Sequence, residues 1–127
     1  FHLEPRQKIV LAGGETAATI GAAAARTNGV NTAMVYGTDG GIAAADLVLL
    51  EDDKHDQPIY APVPTVRAAV LQAYPQITTL VRPLMQSFTR QGLQALNARV
   101  QIDGESPEEV AADYLRDRGF VRSAGTR

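Results

Sequence analysis

The sequence predicts an α/β protein built from two unlike portions, a small strand–helix–strand unit and a helical remainder. Three observations predict it. Short apolar runs at Lys8–Ala12 and Val30–Tyr36 flank an alanine-dense stretch from Glu15 to Arg26. The segment 57–66, QPIYAPVPTV, carries Pro58, Pro62 and Pro64, which removes too many backbone donors for a central strand. After Val66 the apolar residues recur at helical spacing.

Lys8–Ala12 reads as a buried strand, ended by Gly13 and Gly14. A helix follows from Glu15 to Arg26: alanine is the best helix former, Glu15 and Arg26 suit the two ends of the helix dipole, and Asn28-Gly29 stops it. Val30–Tyr36 is the second strand, and a βαβ unit of this size demands a right-handed crossover. Thr38 or Asp39 can cap a short helix through Asp46, and Asp46–Asp52 reads as another buried strand. Residues 57–66 form an extended connector. Beyond it, Val66–Tyr74 is a helix stopped by Pro75, and Gln76–Phe88 is a second one that Pro83 bends or splits. Thr89 offers an N-cap to a helix holding Leu93, Leu96 and Val100. Ser106-Pro107-Glu108-Glu109 starts the last helix with a cap, a proline at the first position and a glutamate placed for a capping box. Val110, Tyr114 and Leu115 form its inner face, and Gly119 ends it. Tyr74 and Tyr114 read as packing residues of this helical portion.

The net charge of −2, with acids and bases mixed along the chain, leaves no basic stripe for a phosphate backbone. The absence of cysteine excludes disulfides, thiolate nucleophiles and cysteine-ligated zinc. Gly13-Gly14 has neither the Walker lysine nor the third glycine of a dinucleotide fingerprint. The acidic loop from Glu51 to Asp56 lacks the glycine and terminal glutamate of a calcium loop, so it reads as a solvated loop. His2 and His55 have no triad partner in view, and no cofactor is expected. Binding explains the residues better than catalysis.

The stretch from Tyr36 to Tyr60 says most about what is bound. It places two of the four tyrosines beside chain turns at strand ends, where α/β proteins bind ligands. Tyrosine faces attract quaternary ammonium groups through their quadrupole, and the alternative is that both rings are ordinary core-edge residues. In the same turn, the Thr38 hydroxyl or the amides around Asp39 could meet the polar end of a ligand.

At YGTDG, DLVLLEDDK, the Pro-x-Tyr ending at Tyr60, APVPTVRAAVLQAYPQI and SFTRQGLQALNARVQIDGESPEEVAADYLRDRGF, the chain resembles the substrate-binding proteins of osmoprotectant ABC importers (glycine betaine, choline, carnitine). The resemblance runs in one unbroken order over nearly the whole chain, and GGETAATI with QPIYAPVPTVR looks most like the low-affinity glycine-betaine-binding branch. It implies part of a type II periplasmic-binding-protein-like fold: residues 1–52 as the latter part of lobe two, 53–66 as the interlobe crossing, and 67–127 as the returning helical part of lobe one. The chain is then expected to be a C-terminal part of a two-lobed protein, and its start at Phe1 suits a mature, processed or truncated product. The resemblance also implies an aromatic cage using Tyr36 and Tyr60, permease subunits as partners, and a periplasmic or extracytoplasmic location. Just before the Pro-x-Tyr, where tight-binding members carry aromatics, this chain has Asp56 and Gln57. Two other readings compete: a self-associating or domain-swapped homodimeric fragment, and a ligand-sensing module fused to a permease.

Overall fold

The computed structural model describes residues 8–11, 15–58 and 60–122. Its elements are α1 (Thr16–Ala24), a single 3-10 turn (Thr27–Gly29), α2 (Gly41–Ala44), α3 (Ala68–Ala73), α4 (Ile77–Ser87), α5 (Arg90–Gln101) and α6 (Pro107–Asp117). Each expected helix forms, with its ends trimmed by a residue or two. The stop after α1 is made by three successive left-handed opportunities: Arg26 and Asn28 adopt φ of 51° and 54°, and Gly29 follows at 77°. Pro83 lies inside α4, yet the helix continues through it as one element.

The two later helices begin and end by local chemistry. Thr89 accepts a hydrogen bond from the Gly92 N–H at 3.0 Å. Ser106 Oγ accepts from the Glu109 N–H at 3.2 Å and donates to the Glu109 carboxylate at 3.1 Å, so the return half of the capping box is made through the hydroxyl. At the C-terminus of α6 the Gly119 N–H reaches the Arg116 carbonyl at 2.9 Å and the Phe120 N–H the Leu115 carbonyl at 2.8 Å, which is a Schellman closure with Gly119 at φ 71°.

Strand pairing is where the structure departs from expectation. Among the described residues there is no strand; Ala12 and the Gly13-Gly14 turn lie outside them. Segments 30–36 and 47–50 keep the alternation of a strand, with Ala33, Val35, Leu47 and Leu49 half-buried between exposed Met34, Tyr36, Val48 and Leu50. The physical reason is that an apolar run supplies only one side of a ladder. These runs do not pair with each other, so the expected βαβ unit has its helix but, among the described residues, no sheet. Instead, segment 30–36 is tied to α1 by Thr19 Oγ1 donating to the Met34 carbonyl at 2.7 Å.

Packing is concentrated along the series α1, α2, α5 and α6. Ile20 and Ile42 are buried where α1 meets α2, and Val110 is buried on α6. Tyr114 packs as expected, stacked on Phe88 at 5.3 Å with Arg118 over its ring at 5.2 Å. Tyr74 does not; it is exposed, because α3 ends at Ala73 before any element covers that ring. Arg99 of α5 joins the following loop and α6, donating to Glu105 at 2.7 Å and Asp113 at 2.7 Å. Even so, the chain exposes 10642 Å². A folded monomer of 13.5 kDa exposes on the order of 6,500 Å². Val10, Met34, Val48 and Leu50 account for part of the excess as outward apolar residues.

Candidate aromatic site and the turn that carries it

Tyr36 closes the 30–36 segment and opens a tight turn. Its carbonyl accepts from the Asp39 N–H at 2.9 Å, and its own N–H donates to Asp39 Oδ2 at 2.8 Å. Asp39 is therefore bonded to both main-chain groups of Tyr36, and it is the buried polar side chain of the described residues, 7% exposed. This corrects its expected use as a helix cap. The residue before α2 is Gly40, and no side chain caps that helix, because the Asp39 carboxylate is already engaged behind it.

The turn is held from outside by α5. Gln94 Nε2 donates to the Gly37 carbonyl at 2.8 Å, Asn97 Nδ2 to the Thr38 carbonyl at 2.7 Å, and the Gly40 N–H donates to Gln101 Oε1 at 3.0 Å. Thr38 thus joins the network through its carbonyl. The three amide side chains lie at i, i+3 and i+7, one face of one helix. Gly40 is what permits the approach: a Cβ there would stand 2.3 Å from the Ala98 nitrogen. Sequence reasoning missed Gln94, Asn97 and Gln101. Their signal was a stripe of amides interleaved with the apolar stripe of Leu93, Leu96 and Val100.

Tyr60 arrives from the proline-bearing connector; Ile59 beside it lies outside the described residues. The Tyr36 and Tyr60 rings meet at 5.4 Å between centroids with planes 70° apart, and both are exposed. The contact is edge to face, so the edge of one ring covers a face of the other, and the two rings form a corner whose outer side is exposed. Two clefts among the described residues lie elsewhere. One of about 410 Å³ lies beside α2 and α5, lined by Gly40, Ala98 and Ile102, and one of about 340 Å³ lies between α3 and α4, lined by Val66, Leu71 and Met85.

The acidic loop is closed by its own backbone. Asp52 accepts from the Gln57 N–H at 2.8 Å, and that hydrogen bond holds the Asp52 carboxyl below its ordinary value. Among the described residues no group of three or more histidine, aspartate and glutamate side chains converges as a metal site. No helix among them is long and apolar enough to cross a membrane.

A family model, the substrate-binding domain of the ABC-type glycine betaine transport system, matches residues 9–117. The glycine betaine-binding protein YehZ of Escherichia coli K12 is 48% identical over 122 residues, which is 96% of this chain and 40% of that protein. The glycine-betaine-binding protein of Pseudomonas aeruginosa is 40% identical over 84 residues, 66% of this chain and 27% of its own length. The solved structure of apo YehZ from Escherichia coli matches with a TM-score of 0.76 at 49% identity, covering 95% of this chain and 43% of that one. The chain therefore spans less than half the length of each of these relatives.

Proposed function

This chain belongs to the family of substrate-binding domains of ABC-type glycine betaine transport systems, and on that premise we propose that it supplies part of a binding protein for quaternary-ammonium osmoprotectants such as glycine betaine. The single observation that carries the reading is the exposed ring corner of Tyr36 and Tyr60. A trimethylammonium group donates no hydrogen bond, so ring faces select it, at roughly 0.5 to 2 kcal/mol per ring. Asp39 serves by holding Tyr36, and the Thr38 hydroxyl faces the polar end of the ligand. The protein acts by binding and presents its cargo to permease subunits in a periplasmic or extracytoplasmic space.

In this reading the fold is part of a type II periplasmic-binding-protein arrangement, divided at 1–52, 53–66 and 67–127. Under that division the hydrogen bonds of α5 to the turn 37–40 join the two lobes. The outward apolar residues Val10, Met34, Val48 and Leu50 then meet further chain of the binding protein. Those same residues favour a second reading, self-association or domain swapping of this chain, because exposed apolar surface drives both.

The test is isothermal titration of the binding protein that carries this chain with glycine betaine. Tyr36→Ala and Tyr60→Ala should each weaken binding about 5- to 30-fold, while the Phe variants keep most of the affinity. Ala variants that bind as the parent does, while folded by circular dichroism, would make the two rings core-edge residues.

A further inference from the structure

The position of Tyr36 is set by a helix some sixty residues further along the chain. Gln94 and Asn97 donate to the Gly37 and Thr38 carbonyls, Gln101 accepts from Gly40, and Asp39, inside that clamped turn, accepts from the Tyr36 N–H. Hydrogen bonds thus run from α5 through the turn to the backbone of Tyr36. Tyr36 is 42% exposed, and its ring meets that of Tyr60. A half-exposed ring has little packing to hold it, so its placement depends on its backbone.

We propose that Gln94 and Asn97 are positioning residues of the ligand site: they set where the Tyr36 ring stands against Tyr60, and so tune affinity for a quaternary ammonium without touching it. This rests on the aromatic-corner reading above. The chemistry is simple. A backbone carbonyl that loses its amide donor turns toward water, the turn relaxes around Asp39, and Tyr36 moves with it. Attraction between a cation and a ring face is short-ranged and directional, so a small displacement of one ring opens the corner. The amide spacing also explains why α5 carries a second, polar stripe at positions 94, 97 and 101, where a surface helix would tolerate any soluble residue.

A thermodynamic cycle separates positioning from general stabilisation. Glycine betaine is titrated into the binding protein carrying this chain, as parent, Gln94→Met, Asn97→Ala and Tyr36→Ala, and as Tyr36→Ala combined with each of the other two. The expected result is that Gln94→Met and Asn97→Ala each weaken binding about 3- to 10-fold in the parent and less than about 2-fold once Tyr36 is alanine. Equal losses in both backgrounds would place the two amides' effect elsewhere and overturn the inference, as would no loss in either. If Tyr36→Ala alone leaves affinity intact, the aromatic-corner reading fails, and the inference falls with it by a separately visible route. Should Asn97→Ala fail to fold by circular dichroism, Gln94→Met decides, since it keeps the side-chain stem and removes the amide that donates to the Gly37 carbonyl.

Discussion

Replacing Gly40 by alanine should be among the most damaging single-methyl additions in this protein. The added Cβ would lie 2.3 Å from the Ala98 nitrogen, 2.5 Å from the Ala98 Cα and 2.6 Å from the Asn97 carbonyl carbon. All three atoms are backbone of α5, so no side chain can swing aside. Reaching an ordinary carbon contact of about 3.5 Å requires the turn to retreat by about 1 Å. Overpacking of this kind costs about 1 to 3 kcal/mol. The retreat also stretches the bonds from Gln94, Asn97 and Gln101, each worth about 1 kcal/mol net. If all three bonds are lost, the total is about 4 to 6 kcal/mol. Gly21→Ala supplies the control, since a Cβ there meets nothing within 4 Å and sits on the exposed side of α1. It should stabilise by about 0.5 to 1 kcal/mol through helix propensity. Urea unfolding followed by far-UV circular dichroism reads both as midpoint shifts at unchanged slope. Because the clash is with backbone, Ala98→Gly should not rescue Gly40→Ala. If Gly40→Ala is as mild as Gly21→Ala, or if Ala98→Gly rescues it, the close approach of the turn to α5 is not what holds this region together.

Acid should loosen the α5–α6 tether. Hydrogen bonds from Arg99 lower the Glu105 and Asp113 carboxyls, Arg116 lowers Asp113 further, and the same pairs raise Arg99. Carboxyls depressed in the folded state contribute stability above their unfolded values and lose it as pH falls through the folded ones, a window below about pH 4. Urea midpoints measured from pH 7 to pH 3 should therefore fall more steeply in the parent than in Arg99→Met; parallel curves would show that the tether carries no linkage. Sedimentation of this chain by itself should give a mass above 13.5 kDa that rises with concentration, driven by Val10, Met34, Val48 and Leu50. A monomer at every concentration would mean that this apolar face does not drive association.

What the sequence by itself determined is local. Thr89 and Ser106 start helices, Asn28-Gly29 and Gly119 stop them, and the prolines keep 60–66 free of helix, because each effect acts within about four residues of its cause. The order of motifs along the chain is also enough to resemble the family. The tertiary structure decided what distant residues do together. Apolar alternation at 30–36 and 47–50 prepares a strand, but a ladder exists only where a second backbone lies alongside, and among the described residues none does. Asp39 is a competent helix cap by type; which backbone group its carboxylate takes depends on how the turn closes, and it takes Tyr36. Tyr36 and Tyr60 are nominated by their place at turns, whereas their meeting at 5.4 Å is a product of the whole chain's path. The amides of α5 look like ordinary solvated positions until Gly40 lets the turn against them. That contact spans about sixty residues of chain, and no local preference encodes a hydrogen bond of such range.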